Sequence, residues 1–155
     1  MEAYLIATAC TKFEKKADQT FKSLTEEVYC DLLKSAKVEN GNMIGQAWFG
    51  NCGMGSFGQN NIRGQVCFTP LVQKKLFPER VGIINVEGGC ATGSMAFHGA
   101  WKDVISGTED VSLAIGVEKI YQPNQPEKIQ EIYDGGIDQF DRNEWLEFYL
   151  SLIHI

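Results

Sequence analysis

Histidine is scarce in this sequence, and its cysteines are not paired. The 155 residues include two histidines and five cysteines, and no two cysteines have the CxxC spacing of many zinc sites and redox pairs. With so little material for ligands, we expect neither a metal centre nor a disulfide framework. Unpaired thiols are typical of a reducing compartment, so we expect a cytoplasmic protein.

Basic residues and long apolar runs are also few. The sequence contains 14 Lys and Arg residues and 20 Asp and Glu residues, which gives a net charge of -6. This balance disfavours nucleic-acid binding, which needs a basic surface. No apolar run reaches the roughly 18 residues that a membrane-spanning helix requires. We therefore expect no nucleic-acid partner and no membrane association. A hydrophobic share of 44% and a charged share of 22% are ordinary for one globular domain.

Apolar runs that alternate with helix signals predict an α/β fold. Ser23 and Glu26 have the spacing of a capping box before an amphipathic stretch, and a second helix from about residue 61 should kink or restart at Pro70. Small residues predict a third helix over 90–106. Strands are predicted at residues 3–10, 43–49, 81–86 and 111–117. This β-α-β-α-β-α-β order favours a mostly parallel sheet with helices on both faces.

The chain divides into three parts by composition. Residues 1–120 carry the α/β pattern and form the predicted domain. Residues 121–149 are polar, aromatic and interrupted by proline, and we interpret them as the start of an excursion or loop region. Residues 150–155 match the translation of a sequencing-library adapter, so we expect this hexapeptide to be non-native.

The segment from Asn85 to Lys119 resembles the active-site region of thiolases. It is most similar to the branch that includes the thiolase domain of sterol carrier protein X. Asn85 lies near the end of a predicted strand, and Cys90 is followed by Ala, Thr and Gly and then by a small-residue helix. A strand ending in Gly-x-Glu, at 116–118, comes about twenty residues later.

Two earlier segments extend this resemblance over most of residues 3–121. Thr11-Lys12-Phe13 is similar to the family's Thr-Pro-Phe, although Lys12 replaces the usual proline. A second set resembles the family's loop and helix before the nucleophile strand: Gln59, Asn60, Arg63 and Gln65.

The resemblance implies the first half of a duplicated, five-layer thiolase fold that usually assembles as a homodimer or higher homo-oligomer. It also implies reversible acyl transfer between coenzyme A thioesters, with acyl-CoA and coenzyme A as partners and no further cofactor or metal. In the family, a histidine and a second cysteine from the other half complete the site. No position here matches either, so we expect the 155-residue chain to show no thiolase turnover by itself.

Cys90 is the predicted catalytic nucleophile. A thiolate attacks thioesters well and is also a good leaving group. After Gly88 and Gly89, Cys90 lies where a strand meets a helix, and free helix N–H groups there favour a thiolate and can donate to an oxyanion. The alternative is a buried, inert cysteine. His98 is eight residues away, about 12 Å along a helix, which is too far for a base.

The other cysteines have no such placement. Cys10, Cys30 and Cys67 are predicted to be packing residues. Cys52 belongs to a glycine-rich loop, and it remains open whether the loop brings this thiol to the active site. Trp101 is predicted to be a core residue.

Three other functions remain open on the sequence. Residues 53–58 spell GxGxxG, which suggests an NAD-binding oxidoreductase, but Glu87 comes later than the acidic residue of that motif usually does. A second alternative is another condensing enzyme of the same superfamily, of the ketoacyl synthase or hydroxymethylglutaryl-CoA synthase type. The third is a non-catalytic family member.

Overall fold

A three-stranded parallel sheet is the centre of the fold. The computed structural model describes the backbone of residues 2–153 and the side chains of 2–148 and 151. The strands have the order β2-β1-β3 in the sheet. They are β1 (Gln46–Gly50), β2 (Gly82–Val86) and β3 (Ser112–Gly116); the helices are α1 (Phe21–Ala36), α2 (Arg63–Gln73), α3 (Thr92–Ser106), α4 (Lys128–Asp134) and α5 (Arg142–Ile153).

Helices cover both faces of this sheet. Side chains alternate along a strand, so Ala47 and Phe49 point to one face of β1 and Trp48 to the other. Ala47 and Phe49 are fully buried in the cluster that α1 and α2 build. Trp48 meets α3, where its Nε1 donates to Asp103 Oδ2 over 2.6 Å. The predicted α/β class, with a parallel sheet between helices, is confirmed.

Four aromatic rings hold α1 and α2 against the sheet. Phe68 of α2 lies edge-on to Tyr29 of α1 at 6.0 Å, to Phe49 of β1 at 6.3 Å and to Phe77 at 4.5 Å. Tyr29 is fully buried, and its hydroxyl donates to the carbonyl of Leu76. Truncation of a buried ring of this kind costs about 3–5 kcal/mol, so the cluster is a major source of stability.

The start of α1 and the course of α2 differ from the predictions. Thr20 caps α1, because its Oγ1 accepts from Ser23 N and its own N–H donates to Ser23 Oγ. Ser23 is therefore the third residue of the helix, and the predicted capping box of Ser23 and Glu26 is wrong. In α2, Pro70 lies inside the helix, which continues for three residues before it ends at Gln73.

The predicted strand at residues 3–10 is wrong. These residues form neither strand nor helix, and Tyr4, Leu5 and Ile6 are between 66% and 76% exposed. Apolar, strand-favouring residues supply the propensity, but a strand also requires a neighbouring backbone with which to form a hydrogen-bond ladder. The sheet in the described part of the chain consequently has three strands instead of four.

Residues 121–149 contain α4 and most of α5. Ile132 of α4 packs against Gly53, in the loop that follows β1. The predicted boundaries at 120 and 149 stay predictions, and residues 154–155 of the terminal hexapeptide lie outside the described residues. Over the span that the structure describes, no helix is both long and apolar enough to cross a membrane.

Two glycines of α3 give a matched test of the packing between this helix and the sheet. A Cβ at Gly99 would overlap the Trp48 indole, whereas a Cβ at Gly93 meets nothing within 4 Å. We expect Gly99→Ala to lower the free energy of unfolding by about 1–3 kcal/mol through overpacking. Gly93→Ala should leave it unchanged or raise it by up to about 1 kcal/mol. Urea denaturation measures both, and equal effects would contradict the packing.

Candidate active site

Cys90 lies on an exposed turn at the carboxyl end of β2. The turn, residues 87–91, is called the Cys90 turn below; its last three residues form a single 3₁₀ turn, Gly89–Ala91. Helix α3 begins at Thr92, two residues later than predicted. The N–H of Thr92 donates to Gly89 O, and no side chain caps α3, so the N–H groups that follow Thr92 in the first turn are the ones that could meet an anion beside Cys90.

Two glycines precede Cys90 in the turn, and the backbone conformation favours glycine at the second of them. Gly89 has φ of +56°, a left-handed conformation that glycine adopts without strain. Gly88 has φ of −161°, and a Cβ there would overlap Sδ at the end of the half-exposed Met95 side chain. Glu87 Oε1 accepts from the N–H of Gly89 over 2.9 Å, which holds the start of the turn.

Thr92 holds the Cys90 turn together through hydrogen bonds of its side chain. Its buried hydroxyl accepts from Gly88 N at 2.9 Å and donates to Gly89 O at 2.8 Å. One side chain thus connects the first turn of α3 to the two residues that precede Cys90. Sequence reasoning included this threonine in the motif but assigned it no role, since only the fold shows the two backbone groups that it joins.

The Cys52 thiol contacts the same turn. Its Sγ lies 3.2 Å from Gly89 O and 3.0 Å from Thr92 Oγ1. Because the Thr92 hydroxyl already donates to Gly89 O, the single S–H of Cys52 can donate either to Gly89 O or to Thr92 Oγ1. The structure therefore brings Cys52 to the site, which the sequence had left open.

The remaining cysteines lie in different surroundings. Burial raises the pKa of the Cys67 and Cys30 thiols, and Cys67 is fully enclosed in the core. Both should react slowly with electrophiles, because only the thiolate is a strong nucleophile. Cys10 is exposed, so its prediction as a packing residue is wrong. In the described part of the chain, its segment pairs with no strand that would bury it.

No base contacts Cys90 in the described part of the chain. His98 instead stacks on Trp101, with ring centroids 5.4 Å apart. Trp101 is 44% exposed, so its prediction as a core residue is wrong. Among the residues described, no group of three His, Cys, Asp or Glu could hold a metal ion.

The glycine-rich loop after β1 does not have the geometry of a dinucleotide site. Gly53–Phe57 form a 3₁₀ helix, and α2 begins only at Arg63. The N–H of Gly53 donates to the Glu118 carboxylate, at 3.1 Å from each oxygen. A carboxylate thus occupies the position that a bound phosphate would need, and its charge would repel one.

Thr92 offers a conservative test of the Cys90 turn. Thr92→Val keeps the shape of the side chain but leaves Gly88 N without its acceptor, which should cost about 1–3 kcal/mol of the free energy of unfolding. Thr92→Ser keeps the hydroxyl and is expected to lose less stability. The same variants should differ in how fast iodoacetamide alkylates Cys90. If Thr92→Val and Thr92→Ser behave alike, the hydroxyl does not hold the turn.

Comparison with known proteins points to one family. The family described as "Thiolase, N-terminal domain" matches residues 3–140. A benzoylsuccinyl-CoA thiolase subunit from Thauera aromatica is 32% identical over 117 residues, which cover 76% of this chain and 28% of that protein. An acetyl-CoA acetyltransferase from Methanocaldococcus jannaschii is also 32% identical over 117 residues, covering 75% of this chain and 28% of that enzyme. The chain therefore spans less than a third of the length of these curated relatives.

Proposed function

This chain belongs to the thiolase family, and we propose that it supplies the cysteine nucleophile of an acyltransferase that acts on acyl-CoA thioesters. The family match confirms the resemblance seen in the sequence; the narrower likeness to the sterol carrier protein X branch stays a prediction. One observation carries the proposal. Cys90 is an exposed thiol on a glycine turn directly before the uncapped N-terminus of α3.

The proposed chemistry begins with attack of the Cys90 thiolate on the thioester carbonyl of an acyl-CoA. The carbonyl oxygen gains negative charge, and N–H groups at the start of α3 are suited to stabilise it. The tetrahedral intermediate then collapses. The bond between the acyl carbon and the coenzyme A sulfur breaks, and coenzyme A leaves as a thiolate that takes up a proton. The acyl group remains on Cys90 as a thioester.

The acyl group then passes from Cys90 to a second substrate. Transfer to coenzyme A regenerates an acyl-CoA, and transfer to the α-carbon of another acyl-CoA forms a carbon–carbon bond. Carbon–carbon bond formation requires a base that removes the α-proton, and the described residues place none at Cys90. We propose that this base lies in a second half, as the length of the relatives suggests, and that such an enzyme works as a homodimer or higher homo-oligomer in the cytoplasm.

The thiolase assignment is favoured over the alternatives left open by the sequence. Family membership over residues 3–140 favours it over the ketoacyl synthase and hydroxymethylglutaryl-CoA synthase types. The carboxylate bound at Gly53 argues against an NAD-binding oxidoreductase. The intact Cys90 turn, with its glycines and Thr92 in place, argues against a non-catalytic family member.

Acyl transfer to Cys90 can be measured on the chain itself. We expect incubation with acetyl-CoA to release coenzyme A and to increase the mass of the chain by one acetyl group. Peptide mapping should place the group on Cys90, and Cys90→Ala should remain unmodified. An acetyl group found on Cys10 or Cys52 instead would move the nucleophile elsewhere. The absence of any adduct on the folded chain would contradict the proposed function.

A further inference from the structure

We propose that Glu118 is a positioning residue for the nucleophile: it holds the loop after β1 so that Cys52 braces the Cys90 turn. The inference rests on the proposed function and adds to it a residue that acts from a different strand. Glu118 follows β3 by two residues, whereas Cys90 follows β2. Strand β1 lies between these two strands, and its loop connects the two carboxyl ends.

The Glu118 carboxylate accepts hydrogen bonds from three consecutive residues of that loop. Oε2 accepts from Cys52 N at 2.9 Å, both oxygens accept from Gly53 N at 3.1 Å, and Oε1 accepts from Asn51 Nδ2 at 3.2 Å. A Cβ on Gly53 would come within 2.7 Å of Oε1. A larger residue at this position would therefore displace the carboxylate, and every donor here is an uncharged N–H group.

Asn51 reinforces the same attachment. It is 2% exposed, and its Nδ2 donates to Val117 O at 2.7 Å while its Oδ1 accepts from Met54 N at 3.0 Å. Arg63 Nη1 donates to the Asn51 carbonyl at 2.7 Å. The backbone around Cys52 is thereby fixed to the end of β3 on one side and to the start of α2 on the other.

Cys52 connects the loop that Glu118 holds to the Cys90 turn. The Glu118 carboxylate accepts from the backbone N–H of Cys52. The Cys52 Sγ contacts Gly89 O and Thr92 Oγ1, which lie on either side of Cys90 in the sequence. The path therefore runs from Glu118 through Cys52 to the two residues that shape the Cys90 turn. Glu118 need not touch the substrate to act in this way.

Glu118→Gln is the critical variant because it keeps the size of the side chain. Glutamine has one acceptor oxygen, and its NH₂ group would face the N–H of Cys52 or the amide of Asn51, donor against donor. We expect acetylation of Cys90 by acetyl-CoA to slow by about tenfold to a hundredfold, the range that a displacement near 1 Å produces. Cys52→Ala should also slow the acetylation of Cys90, through loss of the sulfur contact alone.

A double-mutant cycle separates this path from a general loss of stability. If Glu118 acts through Cys52, the loss in the double variant should be smaller than the product of the two single losses. Glu79→Gln removes an exposed carboxylate before β2, at the opposite end of the sheet, and should acetylate at the wild-type rate. Leu33→Ala removes a buried side chain of α1 and should lower stability without slowing acetylation of the folded chain.

The outcomes distinguish the two proposals. If the wild-type chain takes up no acetyl group, the proposed function fails. If the wild type is acetylated and Glu118→Gln is acetylated equally fast, the positioning role alone is overturned. Should Glu118→Gln fail to fold, Cys52→Ala decides, because wild-type acetylation of that variant would show that the Cys90 turn needs no brace. If the double variant loses acetylation rate by the full product of the two single losses, Glu118 and Cys52 act independently, and the path through Cys52 is also overturned.

Discussion

Cys90→Ser is expected to take up acetyl groups from acetyl-CoA at least about a thousandfold more slowly than the wild-type chain. A serine hydroxyl is almost wholly protonated at neutral pH. In other enzymes, removal of the catalytic nucleophile lowers the rate by several orders of magnitude. The change is nearly isosteric on an exposed turn, so the free energy of unfolding should hardly change. Cys10→Ser, which replaces another exposed thiol, is the matched control and should acetylate at the wild-type rate.

Alkylation supplies a second readout for the same residue. With substoichiometric iodoacetamide, we expect Cys90 to be labelled before Cys30 and Cys67, whose thiols are held protonated by burial. Cys10 is exposed and will compete for the reagent, so the comparison belongs in the Cys10→Ser background. Prior acetylation should protect Cys90. Preferential labelling of Cys52, with acetyl uptake lost in parallel, would reassign the nucleophile.

No thiolysis turnover is expected from the 155-residue chain. Turnover needs proton transfer to and from the substrates, and general acid–base groups typically contribute 10²–10⁴-fold each. Among the described residues, none places a base at Cys90, and the His98 ring instead stacks on Trp101. The chain should therefore accept an acetyl group once and stop.

A coupled assay with acetoacetyl-CoA and coenzyme A checks this expectation. The acetyl-CoA formed should not exceed the amount of protein. Continuous formation of acetyl-CoA that Cys90→Ala abolishes would show that the described residues contain a working base. Continuous formation that survives Cys90→Ala would instead indicate a contaminating enzyme.

Three strands and the class of the fold could be predicted from the sequence. Continuous apolar runs at 81–86 and 111–117 match β2 and β3 to within a residue, because strands covered on both faces have no polar side to interrupt the pattern. The nucleophile candidate was also found from sequence, since Gly88 and Gly89 before Cys90 mark a sharp turn at a helix start. These features are local, and a window of a few residues contains them.

The tertiary structure decided the rest, because it depends on which backbones meet. The run at 3–10 has strand propensity, yet it forms no ladder with any described residue, and no local pattern shows whether a neighbouring backbone pairs with it. The surroundings of Cys90 were equally out of reach. Cys52 and Glu118 lie 38 and 28 residues from Cys90 in the sequence, and only the parallel order β2-β1-β3 brings the ends of their strands together. The sequence by itself predicted the candidate nucleophile and the turn that carries it, whereas the side chains that contact this turn follow from the order of the strands.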